Sequence, residues 1–418
     1  MVRKKKDQHT KKAAMKLLRD PQLLFHVGEK VESLGVTGEE RNRRIIFLAG
    51  LTSALAHPVS ILIKGATSSG KSNLIKNVVK LFPPELVVVR ASLSKLAPVY
   101  GRDSLTGKIF YLLEYHGGRD AQYLLRLQQS EGDISREFTT VTGSRRGTEI
   151  AHRMGSPVVL TSTTATRVYA DDETRFTSLF ADESAEQTLA VVRAAVHRRP
   201  KRKEPGLSVW REAIRLLIKN PPVYVFPDWF ETIAAKLPVQ QVRVRRDWLR
   251  FLTLCKAIAL SRRFMMPSKE REFITFADYC VAYRILNPAF SSTVHGVHER
   301  EIAIAECVNQ IHRRLDRPVR VAEIAEQLGW KESLVYKFIK PAVDHCLVQY
   351  ESSTWPKNLK RLLPVSGAQP GFLPSPRYIF EEHEEIGSLA KYVDPLTGKT
   401  KTLRRRTATG GLVQAARE

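Results

Sequence analysis

The residues that most constrain this chain are Gly65-Ala-Thr-Ser-Ser-Gly70-Lys71-Ser72, which fit G-x-x-x-x-G-K-[ST] at every fixed position. The apolar run Val59 to Ile63, with Pro58 at its mouth, precedes them, and a helical run from Asn73 to Leu81 follows. Strand, glycine turn and helix in that order let backbone N–H groups curl around phosphates, and the helix presents its positive N-terminus to them. That chemistry assigns a polyphosphate to Gly65, Ala66, Thr67, Ser68, Ser69 and Gly70. Lys71 would bridge its outer two phosphates, and the Ser72 hydroxyl would hold Mg²⁺. The alternative is a chance glycine-rich turn.

Further short apolar runs at Leu86 to Val89, Ile109 to Leu113 and Val158 to Thr161 read as strands buried on both faces of a parallel sheet. Helical patterns lie between some of them, which argues an α/β domain ending near Ala195. Upstream, apolar spacing predicts helices over Lys11 to Leu34 and Glu39 to Ala56. The run Lys108-Ile-Phe-Tyr-Leu-Leu-Glu114 ends its strand on one carboxylate where a pair of acids is usual, and Leu113 stands in the first acid's place. Glu114 can still polarise an attacking water; otherwise it is a solvated strand end. ATP and Mg²⁺ are the implied ligands.

Lysine and arginine number 67 against 43 acids, a formal net charge of +24, which favours a polyanionic partner, most simply nucleic acid. The cysteines Cys255, Cys280, Cys307 and Cys346 have no C-x-x-C pairing and no zinc spacing, and read as buried thiols of a reducing cytoplasm. The N-terminus lacks the apolar core of a secretory signal, and no apolar run approaches a membrane span. A cytoplasmic protein without membrane contact is expected.

The charge run His197 to Glu204 reads as a linker. Helical periodicity over Leu207 to Leu217, Pro227 to Lys236 and Asp247 to Arg263 predicts a helical subdomain up to about Asn287. Glu299 to Leu315, Val321 to Leu328 and Glu332 to Cys346, then a strand at Leu347 to Tyr350, suggest a winged helix. Within it, Ala322, Ile324, Ala325 and Leu328 would pack one face and Leu334, Val335 and Phe338 the other. Lys331, Ser333, Tyr336, Lys337 and Lys340 remain free for a DNA groove or phosphates, or the module contacts protein instead. From Ser366 onward proline, glycine and charge predict a poorly ordered tail. Alternation over Ile134 to Val141 and Thr148 to Met154 predicts a β-hairpin whose Gly143-to-Gly147 turn carries Arg145 and Arg146 at its tip.

The loop GATSSGKS, the strand IFYLLE, the segment YLLRLQQSEGDIS running into a hairpin, the strand VVLTSTT and the phrase DDETRF occur here in one order. In this the stretch from about Leu17 to Arg198 resembles AAA+ ATPase modules of bacterial mobile-element and phage-type primase–helicase proteins, with features shared by minichromosome-maintenance (MCM) helicases. The longer insertion that MCM proteins carry ahead of the acidic strand is absent. The resemblance implies a P-loop AAA+ αβα domain with a helical lid and a C-terminal winged helix. Its segments are a basic N-terminal arm and helix (1–35), the ATPase domain (36–196), the lid (206–290), the winged helix (291–365) and a flexible tail (366–418). It further implies a polar sensor at Thr164 or Thr163, an arginine finger at Arg175 that reaches a neighbour's nucleotide, and a nucleotide-sensing arginine at Arg246, with Arg245 next. Arg175 paired with nearby acids, a solvated face at Arg246 and a merely soluble hairpin tip are the competing readings.

Taken together these features predict an ATPase that moves DNA, single-stranded or forked, as a homo-oligomeric ring, read as a hexamer from the resemblance, in the replication of a mobile element. With no primase or nuclease motif in the chain, a separate primase would be a partner. A DNA-binding initiator whose ATPase only controls assembly is the alternative, and a loader acting on protein is a third.

Overall fold

The computed structural model describes residues 2–405, except 102–103, 143–144, 166–167, 197–205, 240–241, 296–298, 345–346, 352–360 and 366–371. Helices α1 (Val2–Leu18), α2 (Leu23–Ser33) and α3 (Glu40–Leu51) lead into strand β1 (Ile61–Lys64). There follow α4 (Lys71–Val79), β2 (Val87–Arg90), α5 (Ala97–Tyr100), β3 (Ile109–Leu112), α6 (Gln122–Glu131), β4 (Asp133–Thr142) and β5 (Arg145–Met154). Then come β6 (Val158–Thr163), α7 (Ala170–Glu173), β7 (Thr177–Phe180) and α8 (Ala185–Val196). The strands β2-β3-β6-β1-β7 form one parallel sheet in that order.

Alternate residues of each strand enter different cores, because side chains in a strand point to opposite faces. Ile61, Ile63, Ile109, Tyr111 and Leu160 pack with Phe47, Ile75 and Val78. Leu62, Phe110, Leu112 and Val159 pack on the other side with Tyr115 and Phe176. Apolar residues on both faces explain why the runs read as continuous rather than alternating. The short strand β7 escaped the sequence reading: Thr177 and Ser178 are polar, yet both are buried between β1 and the helices.

The helix expected over 11–34 is two helices, starting earlier and breaking at Asp20-Pro21, since a proline cannot continue the ladder of the preceding turn. Two arginines of α3 are structural. Buried Arg43 donates to the carbonyls of Gly28 and Val36, both at 3.0 Å, and Arg44 Nε donates to Leu24 O at 2.9 Å. A Cβ at Gly28 would lie 2.3 Å from the Arg44 guanidinium, so a larger residue there would have to displace that side chain.

Beyond positions 197–204, expected as a linker and lying outside the described residues, come α9 (Leu207–Ile218), α10 (Phe230–Ala235), α11 (Val244–Ser261) and α12 (Phe276–His295). Next are α13 (Glu299–Leu315), β8 (Val319–Arg320), α14 (Val321–Leu328), α15 (Glu332–Asp344), β9 (Val348–Tyr350) and β10 (Arg361–Pro364), the strands pairing antiparallel as β8-β10-β9. These elements share their own core of Ile304, Val308, Ile324, Val335, Ile339 and Leu362. Ala322, expected to pack, is exposed, because the helix phase puts Val321, Ile324 and Ala325 inward. Cys255, Cys280 and Cys307 are buried thiols, and burial pushes Cys307 up to about 11; Cys346 lies outside the described residues.

The expectation of a disordered tail is overturned for residues 372–405. Helix α16 (Pro376–Glu382) and the hairpin β11 (Leu389–Val393) with β12 (Thr400–Arg404) fold back onto α12. The segment is poor in apolar residues, but Phe372, Leu373, Ile379 and Phe380 are spaced to enter the aromatic core around Trp229, Phe276, Tyr279 and Phe290. Its backbone is met by α12: Phe372 N–H donates to Ser291 Oγ at 2.7 Å and Leu373 N–H to Asn287 Oδ1 at 2.9 Å. The hairpin turn reaches the start of α2, where Gln22, the residue before the helix, donates from Nε2 to Gly398 O at 3.0 Å. We expect Phe380→Ala to cost about 3–5 kcal/mol of stability, read as a lower urea midpoint at unchanged slope.

Candidate active site

The loop leaves β1 after Lys64 and turns into α4 with Ser68 at φ 69° and Gly70 at φ 85°. Gly70, the residue before α4, sits in the left-handed region that glycine adopts without penalty, and no side chain caps the helix N-terminus. Its first amides are thus left for an anion, where the helix dipole favours negative charge. Lys71 Nζ lies inside the turn, donating to Gly65 O at 2.9 Å, Ala66 O at 2.5 Å and Ser69 Oγ at 3.1 Å. Burial lowers the Lys71 pKa below its ordinary value, opposed by the charges of Glu183 and Glu114.

Glu114 is therefore brought to the loop, on the turn just past β3, and is exposed. Glu183 was missed by the sequence reading: its carboxylate accepts the Ala66 N–H. It follows the unrecognised strand β7, whose position beside β1 is what carries it there. Ser162 was missed as well. This buried β6 residue has its hydroxyl 3.5 Å from Ser72 Oγ and donates to Leu113 O at 3.3 Å. Tyr111 from β3 donates to Ser72 O at 3.2 Å. Of the two threonines, Thr163 is buried with its hydroxyl accepting the Ala165 N–H at 3.1 Å, whereas Thr164 is exposed just past the strand.

A second cluster lies around the segment that enters β7. Arg175 donates from Nε to Ser130 Oγ at 3.1 Å and from NH1 to Asp171 O at 2.7 Å. Arg246 of α11 donates to Thr174 Oγ1 at 2.6 Å, and Arg250 donates to Phe176 O at 3.3 Å and to Thr174 O. Buried Asp172 accepts from Tyr115 and pairs with Arg126 at 3.2 Å, fixing α7 against α6. Burial lowers the Arg175 pKa, and the neighbouring charges of Arg246 and Arg126 lower it further. The structure thus brings Arg175 and Arg246 together, and among the described residues their hydrogen bonds go to Ser130, Asp171 and Thr174 rather than to the Gly65–Ser72 loop. In the sheet, Thr177 pairs with Ile61 and Phe180 with Lys64, so Arg175 enters at the end of β7 opposite the end of β1 that bears the loop.

One family model matches residues 8–216, described as the MTBMA_p00010 P-loop domain. The chain belongs to this P-loop domain family. The match runs from within α1 to within α9 and so includes the whole parallel sheet, the loop and the Arg175 segment, but not Arg246 of α11. No curated protein matches the chain. Among solved structures, the chain is similar to a full-length MCM homolog from Methanopyrus kandleri, with 11% identity and a TM-score of 0.44 over 65% of this chain. It covers 60% of that structure's length.

As a P-loop domain the site has the donors a nucleoside triphosphate and its magnesium require: helix amides, one ammonium and one hydroxyl. The remaining candidates lie apart from it. Arg145 and Arg146 are not in the hairpin turn but begin β5, paired with Thr142 and Val141; the ladder continues until only residues 143 and 144 separate the strands. Arg146 is exposed. Lys331, just before α15, and Tyr336, Lys337 and Lys340 along it are exposed. Among the described residues no helix is long and apolar enough to cross a membrane.

Proposed function

We propose that this chain is an ATP-driven DNA translocase, a replicative-type helicase of a mobile element that works as a ring of identical subunits, six by resemblance. One observation carries the reading: the chain holds two half-sites at opposite ends of neighbouring strands, the loop with Lys71 and the Arg175–Arg246 cluster. A hydrolysis site that uses both needs a second copy of the chain.

In this reading Lys71 and the α4 amides bind the phosphates, and Glu114 orients the attacking water, with Thr164 beside it. Ser72 would hold Mg²⁺, whose chemistry is to neutralise phosphate charge. Arg175 from the next subunit stabilises the charge that develops in the transition state, and Arg246 fixes the segment that carries it. Residues 36–196 serve as the ATPase base and 206–290 as the lid, with residues 372–405 packed onto that lid. Residues 291–365 form a winged helix whose Lys331, Tyr336, Lys337 and Lys340 meet DNA phosphates. The β4–β5 hairpin, with Arg145 and Arg146, grips a single strand in the channel.

A forked duplex with ATP is the direct test. The expected result is strand displacement by the parent protein, slowed several-fold by Arg146→Ala at unchanged basal ATP turnover. No displacement, with ATP turnover indifferent to DNA, would refute the motor. Leu113, standing where a first acid is usual, favours one other reading: a slow ATPase that binds duplex through residues 291–365 and controls assembly without unwinding.

A further inference from the structure

Lys64 is the last residue of β1 and the one before Gly65, and it is only 6% exposed. An ammonium at the end of an otherwise apolar buried strand is costly unless a partner receives it. That partner is Glu173, whose Oε1 accepts from Lys64 Nζ. Ser178 of β7 lies at 3.5 Å from the same oxygen. Glu173 closes α7, and its carbonyl accepts the Phe176 N–H at 3.2 Å, so it is part of the turn that bears Arg175. Arg246 and Arg250 hold the very next residue, Thr174, from the other side. One ion pair, buried at Lys64 and partly exposed at Glu173, therefore links the base of the phosphate loop to the base of the arginine segment.

We infer that Lys64 and Glu173 are a positioning pair that ties the phosphate loop of one subunit to the Arg175 segment it offers to the next. Neither side chain touches nucleotide. The pair sets where Arg175 stands relative to the loop of its own chain, so that a shift of β1 and the loop is passed to the neighbour's site. This rests on the hydrolytic reading above.

The test is a double-mutant cycle of Lys64→Met, Glu173→Ala and the double variant, with ATP kcat, ATP KM and melting temperature read for each. Each single variant is expected to lower kcat about tenfold or more while KM stays within about threefold, and the double variant is expected to lose no more than either single. Lys64→Arg, which keeps the charge, is expected to recover kcat to within about threefold of the parent. The double variant leaves no buried charge unpaired, so it reports on function even where a single variant melts early. Additive losses, unchanged kcat in both single variants, or a rise in KM matching the fall in kcat would overturn the pair. Unchanged kcat in these variants beside a large loss in Arg175→Ala overturns the pair alone. Unchanged kcat in Arg175→Ala overturns the reading beneath it as well.

Discussion

Lys71→Ala is expected to abolish ATP turnover, by about 10²- to 10³-fold or more, and to weaken nucleotide binding with it. The ammonium makes three contacts inside the loop, to Gly65 O, Ala66 O and Ser69 Oγ, so its loss removes a charge that faces phosphate and also loosens the turn that presents the amides. All three contacts lie within six residues of Lys71, and the fold should therefore persist. Steady-state turnover, binding of a fluorescent ATP analogue and a thermal melt separate these effects. A variant that melts with the parent and hydrolyses ATP within about threefold of it would remove the loop from the chemistry.

Arg175→Ala is expected to leave nucleotide binding nearly intact and to lower turnover by about 10³- to 10⁵-fold, the range found for arginines that act across a boundary. The contrast follows from geometry: Arg175 contacts Ser130 and Asp171 at the far end of β7, not the loop of its own chain. Mixing the two inactive variants, Lys71→Ala and Arg175→Ala, should restore part of the activity. A boundary that takes its lysine from one and its arginine from the other is complete. An inactive mixture, with both variants shown to exchange subunits, would mean that Arg175 serves its own subunit or only the fold.

Much of the catalytic core could be read from the chain because its signals are local. Gly65 to Ser72 carry their chemistry in eight consecutive positions, and four of the five sheet strands are apolar runs. The fifth, Thr177 to Phe180, is half polar and takes its place only through pairing with β1. Missing it also hid Glu183 and the Lys64–Glu173 pair, since both depend on which strand lies beside β1. Ser162 was overlooked for a related reason: in a run of hydroxyl residues, only the strand's register shows which one faces Ser72. The arginines of α3 would pass for surface charge in any composition count, whereas backbone carbonyls from α2 receive them in the interior. Residues 372–405 misled because low apolar content was taken for lack of a docking face. Four well-placed side chains and two amide acceptors on α12 suffice.

That returning segment has a bearing on how the polypeptide matures. The aromatic cluster beneath α11 and α12, and the contact at Gln22, are completed by residues made after the whole of α13 to β10. During vectorial synthesis the earlier helices emerge with Trp229, Phe276 and Tyr279 not yet covered by residues 372–380, which are made later. Folding of this half thus depends on distant pairings, which makes it slow and dependent on protection from aggregation while the cluster is uncovered.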